Sequence, residues 1–455
     1  MANPLDNYVA ALPELYQRVY GHPEYDRSSR PCDDRARVLT ELITSLQDTL
    51  GKKALRVLDI GCAQGYYALT LAALGCIVVG VDVNAQNVAL CRYLASEQNL
   101  GATFVQANVT KEYIASLEGE QFDVVLALSV LHHLTHAHGF EYVFELLRML
   151  SFRCTVMIAE LARKEEPLYW NVKLPDDYRA FLEPFSFAYD VAWFPTHLSD
   201  IKRPLCVASN HIAFCNRKAY RFDTVLTKPF SDAPVVNART SYLGDGVLVK
   251  LVKKDTAGMI PILVEETRRA AGILREYQDT ISFFPRLVDL EETEHYLVEV
   301  VAIKRGELLY DMVAQGRAID YTRVILDVLD NLIELEQHGL YHTDLRLWNV
   351  VVDEKSARLI DFGAIIKRGD TWVFDQLDVV LSFKSFAALV YDLVRGKLYR
   401  DAAGSGTFAL DRDFTDAPEP YRTFLTVVLK LGQGPSTYQQ LREEAKKLLE
   451  CQKKE

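Results

Sequence analysis

Residues 57–65 read VLDIGCAQG. An apolar run broken only by Asp59 leads into Gly61, Ala63 and Gly65. That is a buried strand handed to a tight turn, where the backbone bends sharply and lets a ligand come close. About 20 residues on, IVVGVD (77–82) repeats the strand and stops at Asp82, where a carboxylate can accept from both hydroxyls of a ribose. Alone, the glycine spacing is a weak signal. Joined to FDVVLALSVLHHL (122–134), another strand opening into a loop, it predicts a nucleoside cradle at the carboxyl ends of parallel strands.

Working outward, short apolar runs (RVLDI, CIVVGVD, TFVQAN, FDVVLALS, CTVMIAE) alternate with amphipathic stretches from Leu55 to Glu160. This is the rhythm of βαβ units in a parallel sheet, so the first fold class is α/β. Val191 to Phe214 reads as two further strands around a turn at Lys202 to Pro204, an antiparallel edge of the same sheet. The first domain is predicted to span 1–216.

The wording D-x-G-x-x-x-G resembles class I S-adenosylmethionine-dependent methyltransferases more than dehydrogenases. The resemblance implies a seven-stranded Rossmann-like sheet, Gly61 beside the methionine moiety, Asp82 on the ribose and Asn108 near the adenine. It extends the donor set to Tyr16, Gln17, Arg35, Val83, Asn87 and Leu128. His132 and His133 are read as ending the fourth strand, where such sheets place substrate and a neutral imidazole can take the proton of a sugar hydroxyl. YQRVYGHPEYD (16–26), rich in Tyr16, Tyr20, His22, Glu24 and Tyr25, is expected to be a lid. Arg35 with ELARKEEPLYW (160–170) is a candidate carbohydrate acceptor site.

Downstream, YLGDGVLVKLVK (242–253) predicts a hairpin, Pro261 to Tyr277 a helix opening with proline, and His295 to Val301 another strand. Tyr321 to His338 and Phe383 to Arg395 carry helical apolar spacing, so 217–434 is predicted as an α+β, two-lobed domain. Within it HTDLRLWN (342–349) and DFG (361–363) resemble the protein-kinase pattern H-R-D-x-x-x-x-N followed by DFG. The resemblance makes Asp344 the residue that orients the attacking hydroxyl, and Asn349 and Asp361 the metal ligands. His342 is then structural and Arg346 phosphate-facing. Lys250, mid-strand in VLVKL, is assigned to the ATP phosphates, with Arg239, Glu299 and Val301 completing the ATP set. The helix glutamate that should hold Lys250 is replaced by Ala270, and Glu266, one turn earlier, is the expected substitute. Only Gly244 and Gly246 precede Lys250 in the loop, and no A-P-E follows DFG, which argues against regulated protein phosphorylation.

Composition narrows the classes. Of 455 residues, 49% are hydrophobic and 25% charged, the profile of an ordinary globular protein of two or three domains. A net charge of −11 disfavours a nucleic-acid partner, whose phosphates need clustered Lys and Arg. Eight scattered cysteines without a C-x-x-C pair fit neither a zinc knuckle nor a disulfide framework. The N-terminus lacks a signal-peptide pattern and no apolar run reaches the ~18 residues of a membrane span, so a cytoplasmic location is expected. STYQQLREEAKKLLECQKKE (436–455) has S/T-x-x-Q capping and apolar Tyr438, Leu441, Ala445 and Leu448, so 435–455 is read as a helix opening a coiled coil.

Taken together, GHPEYD, LDIGCAQG, SVLHH, KEEPLYW, THLS and W-N-V-x-V-D resemble the WbdD-type O-antigen chain terminators. The resemblance implies capping of a lipid-linked polymannose by ATP-dependent phosphorylation of the terminal mannose 3-hydroxyl and S-adenosylmethionine-dependent methylation of the phosphate, or by direct methylation of the hydroxyl. It brings ATP, Mg2+ and S-adenosylmethionine as cofactors. It also brings a mannosyltransferase as partner, a C-terminal trimeric coiled coil and a peripheral position at the inner face of the bacterial inner membrane. Two alternatives stay open: a non-catalytic pseudokinase beside a sugar O-methyltransferase, and an enzyme acting on a small metabolite.

Overall fold

The computed structural model describes residues 4–25, 27–117, 119–236, 238–254, 260–368, 378–397, 414–432 and 437–450. The chain divides into two compact units, Met1–Asp223 and Thr224–Glu455.

The first unit is built on β1 (Arg56–Ile60), β2 (Ile77–Asp82), β3 (Ala102–Gln106), β4 (Phe122–Leu128), β5 (Cys154–Glu160), β6 (Phe187–Phe194) and β7 (Arg203–Ser209), ordered β3-β2-β1-β4-β5-β7-β6. The first five strands are parallel, and β7 runs antiparallel between β5 and β6. Helices cover the sheet, which is why β1, β4 and β5 are apolar almost throughout. The predicted turn at Lys202 to Pro204 is displaced: Arg203 and Pro204 already pair with Phe194 and Trp193 inside the ladder. Proline fits there because it sits at the start of its strand. PLCVASNHIAF is also not one strand. The Ser209 hydroxyl accepts the amides of His211 (3.0 Å) and Ile212 (2.9 Å), closing β7 before β8 (Ile212–Cys215) begins. β8 pairs with β9 (Lys218–Arg221) through Asn216 and Arg217, both at positive φ. The expected boundary at Asn216 therefore falls in a hairpin tip. Ser45 and Thr49, on the helix Asp33–Leu50, hydrogen-bond Ala219 and tie that hairpin to the first unit.

The second unit opens with an antiparallel sheet of β10 (Thr224–Leu226), β11 (Arg239–Leu243), β12 (Val247–Lys253), β13 (Arg286–Glu292) and β14 (Tyr296–Ala302), in the order β10-β11-β12-β14-β13. The predicted hairpin, helix (Ile260–Tyr277) and strand are all present. A helical lobe follows on Tyr321–Gln337, Asp378–Arg395 and Tyr421–Leu431, sharing a core through Val324, Val328, Leu332, Phe386, Leu389 and Phe424. Among the described residues no helix is long and apolar enough to cross a membrane.

The tail corrects one expectation. Thr437 and Gln440 form the predicted capping box on the helix Tyr438–Ala445. Yet Tyr438, Leu441 and Ala445 are fully buried in their own unit, with Tyr438 stacked on Phe383 at 4.5 Å and hydrogen-bonded to Ser382 at 2.6 Å. This apolar stripe is core, not a coiled-coil seam. The predicted break at Gly434-Pro435 lies outside the described residues.

Candidate active sites

In the first unit the turn after β1 demands glycine at Gly61. Its φ is +73°, and a Cβ there would come within 2.6 Å of Val130 Cγ2. Ala63 also holds positive φ (50°), so it is strained where a small residue alone would not be. The Asp82 carboxylate accepts the amides of Ala63 (2.9 Å) and Asn84 (2.8 Å), which ties the turn to the end of β2. Asn87 donates to Asp82 (3.3 Å) and accepts from Gln64 (2.7 Å); Gln64 accepts the Gln17 amide (2.8 Å), and Gln17 accepts the Tyr66 amide (3.0 Å). Gln17, Gly61, Asp82 and Asn87 thus meet, with Gln64 as the connector that sequence reasoning missed. Val83 follows Asp82 and is 69% exposed; Leu128 ends β4, and Asn108 is exposed on the loop after β3. Burial, and then neighbouring Asp82, pushes the pKa of Asp59 up to about 7. Two buried acids side by side fit S-adenosylmethionine, whose sulfonium and ammonium charges relieve their repulsion.

Next to this cradle lies a buried charged cluster. Glu160, at the end of β5, is held by Arg30 and by Arg35 Nε (2.6 Å). Burial opposes its charge, but the two guanidiniums outweigh that and hold its pKa below the ordinary range. Arg35 also donates to the Pro195 carbonyl (2.8 Å) and pairs with Asp34. Glu166 takes two hydrogen bonds from Arg203 (2.8 and 2.6 Å). Tyr16 accepts from Arg30 and so adjoins this cluster. His132 and His133 do not end β4; they open the helix Leu131–His138. Their rings lie 4.1 Å apart, and His132 packs 4.6 Å from Trp170. Burial, then the charge of Arg203, lowers the pKa of His132 and keeps it neutral. His133 is open to solvent on one side; loss of water on the other, then Arg203, lowers its pKa too.

In the second unit the catalytic-loop residues converge. Asn349 Nδ2 donates to the Asp344 carbonyl (2.8 Å) and carboxylate (3.0 Å), and Arg346 Nε reaches the same carboxylate at 3.3 Å. Asp344 stays 45% exposed, available to a substrate. Buried His342 accepts the Asp344 amide and donates to the Ile360 carbonyl (3.2 Å), bracing both loops; burial lowers its pKa and keeps it neutral. The Ile360 amide donates to the Asn349 carbonyl (2.9 Å), which sets Asp361, at positive φ, next to Asn349. Phe362 packs edge-on against Phe284, and Gly363 lets the helix Ile260–Tyr277 approach so closely that a Cβ would meet the Glu266 carbonyl at 2.9 Å. No three His, Cys, Asp or Glu side chains cluster as a metal site among the described residues. The Asp361 carboxylate and the Asn349 amide nonetheless suit Mg2+, which is held by one or two acids together with substrate phosphates.

Lys250 departs from expectation. Its ammonium pairs at 3.0 Å with fully buried Glu299, not with Glu266. The cause is register: β12 and β14 set Lys250 directly opposite Glu299. The Glu299 side chain is thereby the partner of Lys250. Glu266 turns toward Asp361, and burial, then that charge, raises its pKa. Val301 is buried on β14, and Arg239 opens β11.

A family model described as "Methyltransferase domain" matches residues 57–151. Over 379 residues the chain is 37% identical to an Escherichia coli "O-antigen chain terminator bifunctional methyltransferase/kinase WbdD", covering 80% of this chain and 53% of that protein. The chain therefore spans about half the length of the curated relatives it matches. A solved structure of the "bifunctional kinase-methyltransferase WbdD" superposes with TM-score 0.81 at 32% identity, covering 98% of this chain and 95% of that one. Another WbdD structure, with an ordered C-terminal bundle, gives TM-score 0.83 at 32% identity over 97% and 89%. With both constellations assembled on the fold of those structures, the chain belongs to the WbdD family.

Proposed function

We propose that this chain caps the non-reducing end of a lipid-linked O-antigen polymannose, first phosphorylating the terminal mannose 3-hydroxyl with ATP and Mg2+, then methylating that phosphate with S-adenosylmethionine. Adding the cap ends polymerisation and sets chain length. The observation that carries the reading is the pairing in one chain of an Asp344–Asn349–Asp361 phosphotransfer loop with a Gly61–Asp82 donor cradle. Asp344 orients the hydroxyl, Asn349 and Asp361 hold the metal, and Lys250 meets the phosphates. The pairing of Lys250 with buried Glu299 supports an active kinase over a pseudokinase, because the lysine has a fixed anionic partner.

A synthetic oligomannoside incubated with ATP-Mg2+ and S-adenosylmethionine, separately and together, tests this by mass spectrometry. Phosphate is expected with ATP alone, and methyl only where phosphate has been added. Methylation without ATP would sink the order of events. Asp344→Asn is expected to remove phosphate incorporation.

A further inference from the structure

The backbone on either side of Asp344 is held by one helix, Asp378–Arg395. Ser382 Oγ donates to the His342 carbonyl (2.8 Å), and Ser385 Oγ, one turn further on, accepts the Leu345 amide. The two serines thus fix the peptide groups before and after Asp344. Ser382 has a further partner, the Tyr438 hydroxyl of the tail helix, at 2.6 Å. A serine hydroxyl carries one proton, and here it goes to the His342 carbonyl, so Tyr438 is the donor to the serine oxygen. The result is a directed chain from the Tyr438 O–H through the Ser382 O–H to the His342 carbonyl, across three fully buried residues.

Packing alone does not ask for the phenol oxygen. The Tyr438 ring stacks on Phe383, and phenylalanine would fill the same place without a polar atom to satisfy in the core. The hydroxyl is therefore explained by what it holds. The start of the tail helix is itself fixed from the other side: the Tyr438 amide donates to Glu336 (3.0 Å) and Arg442 to Asp330 (2.8 Å), both acids on the helix Tyr321–Gln337. Hydrogen bonds in series polarise one another in a low-dielectric interior, so a donor at the far end stiffens the carbonyl at the near end. We infer that Tyr438 is a positioning residue for phosphate transfer, acting through Ser382 and the His342 carbonyl to set the backbone that carries Asp344. The tail helix is then a working part of the phosphotransfer site and not only of the core. The inference rests on the phosphate-transfer half of the proposed function and deepens it.

Phosphate transfer to the oligomannoside, thermal unfolding and amide hydrogen exchange on the full chain test it in Tyr438→Phe, Ser382→Ala and the double variant. Phe383→Leu, which cuts into the stack but leaves both hydroxyls, is the packing control. Tyr438→Phe and Ser382→Ala are each expected to lower kcat about tenfold, short of the ~10²-fold that a misplacement of about 1 Å can cost, with KM for ATP-Mg2+ unchanged. The double variant should lose no more than the larger single loss, because both changes break one chain. Exchange should quicken at the amides of Asp344 and Leu345 in the same variants. Phe383→Leu should lower the melting temperature and leave kcat per folded molecule at the native value. Losses that track melting temperature across all four variants, or native exchange at the two amides in Tyr438→Phe, overturn the inference. If the native chain adds no phosphate to the oligomannoside, the proposed acceptor falls and exchange alone decides: quickened at the two amides, the relay stands; unchanged, it fails.

Discussion

Lys250 could be found from VLVKL alone, because an ammonium in an otherwise apolar strand needs a reason to be there. Its partner could not: which acid meets it depends on the register of β12 against β14, some 50 residues along the chain. The pairing has a consequence for rate. Glu299→Gln keeps the volume but leaves the Lys250 ammonium without a fixed anion, so phosphate transfer should fall about 10²-fold, mainly in kcat, with Glu266→Gln leaving Lys250 in place. Steady-state kinetics with varied ATP-Mg2+ check this; equal losses in the two variants would return the role to Glu266. At Asp59 the consequence is for stability. Its pKa of about 7 lies above the ordinary ~3.9, so between those values the folded chain binds more protons than the unfolded one, and stability falls as pH rises. Asp59→Asn mimics the protonated acid and should gain up to ~4 kcal/mol over the native chain at pH 8, with little difference at pH 4. Urea midpoints at the two pH values measure the gap, and a gap independent of pH would sink the explanation.

At the scale of elements, the parallel strands were legible because burial on both faces writes itself as continuous apolar runs, and the S/T-x-x-Q signature located the tail helix. The destination of that helix was not legible, since spacings of three and four serve a core face and a coiled-coil seam alike. The structure sends Tyr438 into the core of the second unit, against Phe383 and Ser382. Tyr438→Ala should therefore destabilise that unit by about 3–5 kcal/mol, as large-to-small changes of buried aromatics do. Thermal unfolding with light scattering distinguishes the roles: a seam residue would change the oligomeric mass with little loss in melting temperature. The split of PLCVASNHIAF into β7 and β8 was likewise hidden, because it hangs on one hydroxyl, Ser209, capping two amides.

At the scale of the molecule, each unit carries its own core and its own site, and motif order along the sequence was enough to separate them. What motif order could not convey was the wiring between distant residues, such as Glu160 joining Arg30, Arg35 and Ser129 across a span of about 130 positions. Separate cores predict separable chemistries. Asp344→Asn removes the group proposed to orient the hydroxyl and should stop phosphate transfer, yet the variant should methylate a pre-phosphorylated oligomannoside at the native rate. Gly61→Ala forces a Cβ toward Val130 at positive φ and should weaken the donor cradle at least tenfold while leaving phosphate transfer intact. Assaying both variants on bare and phosphorylated acceptors gives a two-by-two outcome. Loss of both activities in either variant would mean that the two units do not work independently, and a methyl group on the bare acceptor in Asp344→Asn would mean that the phosphate is not what the first unit reads.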